Sequence, residues 1–389
     1  MITIKNADAA LKDYYLDAFT AQLNDNISPF FSAIEKNTEG VSGKDGKLAI
    51  VRGNTGGIIS GSEDGDLPGP YKNRYINITA PLKNIYGTIE ISDKAMRASR
   101  ESAGAFVNLV NAEMEGLISS AKENLSRMLF GNGTGRICNI DSKKSATTFI
   151  VDELKYYFNG MHVDICKEDG EKVSDDDGVY IVSINEEEYS VTINKEINKS
   201  FSYGSIYVHG SKDSEITGLE ALFYSPKIYG IEKKQDPYLM PYCFNGEGTL
   251  TEQKLCDMLD YMEECRNSKI NLIICSYKTR KMIAEFANAN RRVVNTIDMH
   301  TGYGALTINN IPVYVDKYCP ENRIYFLNTD DFALYQLCDW EWLEDEDGKI
   351  LKQIPGKAAY SATLVKYAEL ICRKPCGQGV LFDFDPDKY

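Results

Sequence analysis

Five groups of residues have types and spacings that could do chemistry. Gly131-Asn132-Gly133-Thr134-Gly135 places glycine at every second position, as in loops whose backbone amides cradle a phosphate. Such a loop follows a strand and opens a helix. These glycines instead end a helix-periodic run, and no Gly-Lys-Ser/Thr follows, so they read as a helix stop. Asp175-Asp176-Asp177-Gly178 suggests calcium, but a calcium loop puts its glycine at the sixth position and here it is fourth; a β-turn fits better. Cys372 and Cys376 are the close cysteine pair, yet a structural zinc site needs four ligands and no second pair or histidine stands at a suitable spacing. Glu344-Asp345-Glu346-Asp347-Gly348 reads as a solvated hairpin tip, and among 57 acidic residues no pair stands out as glycosidase carboxylates. His162, His209 and His300 lie far apart in sequence, outside any nucleophile motif. No catalytic residue, cofactor or metal is assigned, and the chain is expected not to be an enzyme.

Composition narrows the classes further. The 389 residues carry 43 basic and 57 acidic side chains, a formal net charge of −14. That balance argues against tight sequence-independent DNA binding, which neutralises phosphates with Lys and Arg. A hydrophobic content of 43% allows a sizeable core, and the length suits two or three domains. The first residues lack a basic segment followed by an apolar run, so no signal peptide is expected. No stretch is apolar for long enough to predict a membrane-spanning helix. Ten cysteines without framework spacing read as reduced cytoplasmic thiols.

The elements that would position any site begin with one long helix. From Ser102 to Phe130 there is no proline, and Phe106, Val107, Val110, Met114, Leu117, Ile118, Ala121, Leu125 and Met128 recur at steps of mostly three and four. At ~1.5 Å per residue the run would span roughly 43 Å. Before it, residues 7–35 are helix-periodic with a break at Ile27-Ser28-Pro29; lacking a neighbouring core element in sequence, they read as an arm that packs elsewhere. Residues 47–91 hold short strand signals around the turn-rich Gly61–Pro70, the pattern of a long two-stranded loop with a flexible tip. An isolated ribbon is only marginally stable, so a partner surface is implied. Alternation over 148–211 predicts a small all-β module. A helix over Thr251–Arg266, a buried strand at Leu272–Cys275, a helix over Tyr277–Ala289 and a hairpin turning at Asn309-Asn310 follow. The last part reads as strands, ending in a long one over Ala362–Cys372 that packs back on the main helix.

This order of parts resembles the major capsid proteins of tailed double-stranded-DNA bacteriophages, with the Hong Kong 97 fold. The residues that carry the resemblance are the loop at Lys47–Ile91, the helix ending in Phe130-Gly131-Asn132-Gly133-Thr134-Gly135, Gly218-Leu219-Glu220-Ala221-Leu222-Phe223, the step Asn271–Ser276 followed by Lys278-Thr279-Arg280, and Gly304–Asp316 with Tyr318-Cys319-Pro320. It covers most of the chain outside 148–211. The resemblance implies an α+β chain with an N-terminal arm (1–40), an extended loop (41–91), a peripheral domain with a spine helix (92–147), an inserted β module (148–211), an axial domain (212–320) and return strands of the peripheral domain (321–389). Some members cross-link loop lysines; Lys44, Lys47 and Lys72 would supply the amine, but no partner asparagine is identified and no cross-linking is assigned.

The implied function is that of a structural protein of the virion, assembled in the host cytoplasm, whose copies form hexamers and pentamers of an icosahedral shell around double-stranded DNA, without sequence-specific contact. A portal and, since no long helical segment precedes the arm, a separate scaffolding protein are the implied partners; a membrane is not. The residues expected to matter are the assembly-loop tip Glu63, Asp64, Gly65, Asp66, Leu67, Pro68 and Pro70, and the spine-helix core Phe106, Val110, Met114, Leu117, Ala121 and Leu125. Two other readings stay open: an encapsulin-type nanocompartment subunit, and a cytoplasmic carboxylate-dependent hydrolase.

Overall fold

A computed structural model describes residues 28–51, 58, 60, 61, 63, 75–94, 103–174, 178–289, 297, 298, 304–346 and 348–385. The first element is a single-turn helix, α1 (Pro29–Ala33), with Pro29 in its first turn and Ser28 as its cap. Strands β1 (Glu35–Asn37), β2 (Val41–Ser42), β3 (Asp45–Val51), β4 (Tyr75–Pro81) and β5 (Lys83–Ser92) follow, then the spine helix α2 (Ala103–Phe130). Next come β6 (Arg136–Lys143), β7 (Thr148–Val151), β8 (Val163–Lys167), β9 (Ile181–Asn185), β10 (Ser190–Ile193) and β11 (Gly204–Val208). The chain continues through α3 (Leu219–Tyr224), β12 (Lys227–Ile228), β13 (Ile231–Glu232), β14 (Tyr242–Gly248), α4 (Glu252–Glu264), β15 (Leu272–Cys275) and α5 (Tyr277–Ala289). It closes with β16 (Ile297–Asp298), β17 (Gly304–Ile308), β18 (Ile311–Val315), β19 (Arg323–Leu327), β20 (Phe332–Trp342), β21 (Lys352–Gln353), β22 (Ala359–Cys372) and β23 (Gly379–Phe384).

The strands gather into three main sheets. The first sheet, labelled peripheral after the resemblance above as the seven-stranded one below is labelled axial, runs β1-β20-β22-β21, with β5 laid against β22. Lys83–Ser92, placed by sequence at the end of the extended loop, pairs antiparallel with β22 from Ala359 to Ala368. One face of this sheet carries the spine helix: Ile89, Ile91, Trp340, Trp342, Ala362 and Leu364 pack with Met114 and Ile118. Gly87 permits the closest approach, since a Cβ there would lie 2.6 Å from a methyl of Leu117.

The inserted module is a six-stranded antiparallel sheet, β8-β11-β6-β7-β10-β9, around Ile140, Phe149, Ile165, Ile181, Val191 and Ile206. Its sheet starts at Arg136, ahead of the expected boundary at 148, because β6 pairs with β11 over Gly204–Tyr207.

The axial sheet has seven strands, β14-β23-β19-β15-β18-β17-β16. It takes in β19 and β23, which the sequence reading puts with the return strands; both are antiparallel partners of central strands, a pairing that only the folded chain reveals. One face is covered by α4 and α5 through Leu255, Met258, Met262, Met282 and Ile283. Leu272, Ile274, Tyr325 and Leu327 on the other face meet Leu125, Leu129 and Phe130 at the end of the spine helix. Burial on both faces is why β15 reads Leu-Ile-Ile-Cys without alternation. Thr251 caps α4 by accepting the Lys254 N–H, and Asn309 and Asn310 both adopt positive φ in the tight β17–β18 turn.

The start of the described chain corrects one expectation. Phe30, Phe31 and Ile34 do not pack elsewhere; they are buried in the molecule's own core beside Phe332 and Leu334, and Phe30 meets the Phe332 ring edge-on at 5.2 Å. Strand β1 then pairs parallel with β20. The surface that receives them comes from residues some three hundred positions later, so nothing near them in sequence announces it.

Candidate assembly surface

The glycine run does what a helix stop requires. The spine helix ends at Phe130; Gly133 and Gly135 have φ of +82° and +73°, where a side chain is strained. The turn they make receives residues 211–221 at close range. Glu215 donates its N–H to Gly133 O, Asp213 to Thr134 O and Ala221 to Gly131 O, so carbonyls of the turn itself are satisfied, while Met128 O in the last helical turn accepts the Gly131 N–H. Gly218 is needed for that approach: a Cβ there would sit 2.3 Å from Met128 O and 2.5 Å from Leu129 O. Arg127, in the last helical turn, pairs with Glu215 through both guanidinium arms in a nearly dry setting. A cation at the C-terminal end also suits the helix dipole.

Three further buried polar groups tie parts of the fold together, the first two between elements remote in sequence and the third between neighbouring strands of one sheet. Glu369 on β22 is fully buried and accepts the Thr217 N–H at 2.7 Å and the Leu370 N–H at 3.1 Å. Burial pushes its carboxyl up to about 7, against the opposing pull of those amides and of Lys83. Ser28 donates to Asp316 Oδ2 at 2.6 Å, tying the front of the chain to the end of β18; burial raises the Asp316 carboxyl in spite of that bond. Lys366, fully buried, donates to Gln336 Oε1 at 2.7 Å and Asp339 Oδ1 at 2.6 Å. Register breaks in β20 around Cys338 turn Asp339 toward it. Burial draws the Lys366 ammonium down, whereas for Asp339 burial is outweighed by the Lys366 charge and hydrogen bond, which hold its carboxyl low.

On this frame, β3 and β4 form a hairpin paired from Asp45↔Pro81 to Val51↔Tyr75. Its base is not free: Ile50, Ile78 and Ala80 are buried against Ala333, Tyr335 and Ile371 of the peripheral sheet. Beyond Val51 and before Tyr75 only isolated residues are described. Ile58 is 98% exposed and Tyr75 is 59% exposed. Glu63 is exposed, and Asp64, Gly65, Asp66, Leu67, Pro68 and Pro70 lie outside the described residues. Of the spine-helix residues, Met114 and Leu125 are buried, Leu117 and Ala121 are half-buried against the same cluster, and the side chains of Phe106 and Val110 lie outside the described residues.

The chemical candidates resolve as follows. All ten cysteines are free thiols, and burial raises Cys275 to about 12 and Cys372 well above its ordinary value, so neither is a thiolate nucleophile near neutrality. Asp175, Asp176 and Asp177 lie outside the described residues, as does His300. Glu344, Asp345 and Glu346 are exposed, Asp347 lies outside the described residues, and the Gly348 N–H bonds to Asp345 O. Among the described residues no three of His, Cys, Asp and Glu converge as a metal cage. An open cleft of about 880 Å³ lies where β6, the 152–156 segment and 320–323 meet. Five acids line it, among them Glu153, Glu220 and Glu321, and five bases, among them Lys155, Lys278 and Arg323, giving a charge-balanced surface. Sequence reasoning missed Arg127–Glu215, Lys366–Asp339 and the pairing of His162 with His209. A lysine inside the apolar run Ala362–Cys372 was the available signal for the second; the others depend on register.

No family model matches the sequence, and no curated protein matches it. Solved structures do. A chain of the Cyanophage A-1(L) capsid asymmetric unit aligns with a TM-score of 0.54 at 12% identity, covering 92% of this chain and 93% of that chain. A capsid chain of the native GTA particle aligns with a TM-score of 0.52 at 9% identity, covering 92% and 91%. The chain has the Hong Kong 97-type capsid fold. The six-stranded module lies in sequence between α2 and α3.

Proposed function

We propose that this chain is the major capsid protein of a tailed bacteriophage: copies of it associate as hexamers and pentamers and close an icosahedral shell around double-stranded DNA. The observation that carries this reading is end-to-end correspondence with capsid chains, covering more than nine-tenths of both partners, in spite of very low identity. The physical division of labour agrees with it. The spine helix, the peripheral sheet and the axial sheet share continuous cores and make a stiff body. The β3–β4 hairpin is anchored at its base and carries Ile58 into solvent, an apolar side chain that gains by burial on another copy. A net charge of −14 suits a wall that confines DNA without gripping it. The shell would be built in the host cytoplasm, with a portal and a separate scaffolding protein as further partners.

The test is direct. The recombinant protein, alone and with a candidate scaffolding protein, is imaged by electron microscopy and sized by light scattering, and recovered particles are analysed for nuclease-protected DNA. Closed particles that admit DNA are the expected result. Closed particles filled only with a dedicated protein cargo would replace this reading with the nanocompartment one. A stable small oligomer under every assembly condition would overturn both.

A further inference from the structure

We propose that the inserted six-stranded module carries a binding site for a divalent transition-metal ion, built on the cross-strand pair His162 and His209. The pairing follows from register. Val163 of β8 lies opposite Val208 of β11, so the next positions outward, His162 and His209, also face each other, and the His209 N–H bonds to His162 O at 3.2 Å. Directly opposed residues on antiparallel strands share a face, with Cβ atoms about 4.5–5.5 Å apart. Their ring centroids lie 6.5 Å apart. Metal–nitrogen bonds of about 2.0–2.1 Å place two imidazoles on one ion at or inside that separation, so a small inward turn of the exposed His162 ring completes the approach.

His209 is already oriented for the task. Its Nδ1 lies 2.8 Å from Asp164 Oδ1, two residues along β8 on the same face as His162. Donating Nδ1–H to a carboxylate leaves the Nε2 lone pair pointing outward, the arrangement in which a carboxylate sets the tautomer and raises the basicity of a metal-binding imidazole. Asp164 is itself held in place: Oδ2 accepts the Gly210 N–H at 2.9 Å and Oδ1 also receives Lys172 Nζ at 3.0 Å. Its charge is spent on Lys172 and His209, which makes it a positioning residue and not a ligand. On the other side, Tyr180 lies opposite His162 with its ring 5.7 Å away and limits how far that imidazole can swing outward. Two imidazole nitrogens select borderline ions such as zinc or nickel over calcium or magnesium, and the remaining positions are open to water or to a side chain of another chain.

The experiment is calorimetric titration of the intact reduced protein with Ni²⁺, repeated on His162→Ala, His209→Ala and Asp164→Asn. One ion per chain is expected. Each histidine variant should lose at least tenfold in affinity, and Asp164→Asn about 10–100-fold. His162 is exposed, so its alanine variant tests the site without threatening the module's core. The absorption spectrum of the Co²⁺ form supplies an independent readout, expected without thiolate charge-transfer bands. Wild-type protein that binds no Ni²⁺, a His162→Ala protein that binds as wild type does, or a thiolate band in the Co²⁺ spectrum would each overturn the site.

Discussion

Arg127 and Glu215 form a two-armed ion pair whose side chains are only 6% and 2% exposed, with Nη1 2.9 Å from Oε2. It ties the last turn of the spine helix to the segment that leads into α3. Removing one partner leaves the other charge buried and uncompensated. Glu215→Ala should therefore cost about 3–5 kcal/mol of subunit stability, while Arg127→Met with Glu215→Leu should cost much less. Denaturant unfolding of the unassembled subunit measures both; a double variant that loses as much as Glu215→Ala, or more, would refute the prediction.

The buried Glu369 predicts a pH dependence whose sign can be worked out. Its carboxyl is raised from 4.5 to about 7 in the folded chain, so between those values the native state holds a proton that the unfolded state has released. Stability from this group is full below the unfolded value and is lost as pH rises through about 7. Relative to Glu369→Gln, which keeps an acceptor for the Thr217 and Leu370 amides, wild type should weaken by roughly 3 kcal/mol from pH 4.5 to 8. Paired unfolding curves across that range check it, and parallel curves for the two proteins would refute the assignment.

Two glycines should respond to alanine with opposite signs. Gly116 lies within the spine helix, exposed, with nothing within 4 Å of an added Cβ. Gly116→Ala should stabilise the unassembled subunit by about 0.5–1 kcal/mol through lower unfolded-state entropy. Gly218→Ala would press a methyl onto the carbonyls of Met128, Leu129 and Gly131 and should cost about 1–3 kcal/mol or more. Thermal melts of the two variants against wild type decide the matter.

What was legible in the sequence was local. The period of the spine helix, its glycine stop, the Leu-Ile-Ile-Cys strand and the Asn309-Asn310 turn are each written in a window of a few residues, and each lies where the pattern put it. The missing part was long-range pairing. Phe30 and Phe31 looked partnerless because Phe332 and Leu334 are distant in sequence. Lys83–Ser92 looked like the end of a loop because β22 is equally remote. The His162–His209 pair was hidden for the same reason: two isolated histidines become neighbours only once β8 and β11 are in register.

The sharpest test of the assembly reading separates folding from association within one loop. Ile50, Ile78 and Ala80 fix the base of the β3–β4 hairpin on Ala333, Tyr335 and Ile371. Replacing the tip Gly61–Pro70 by a short Gly-Ser turn should leave thermal stability within about 0.5 kcal/mol of wild type, as for surface changes away from packed features. If the tip lies over a neighbouring copy, the same deletion should abolish or sharply reduce closed particles, because contact area is lost at every subunit boundary of the shell. The two readouts fail separately. A deletion that unfolds the subunit would mean the tip belongs to the core, and one that folds and builds shells at normal yield would mean that it plays no part in assembly.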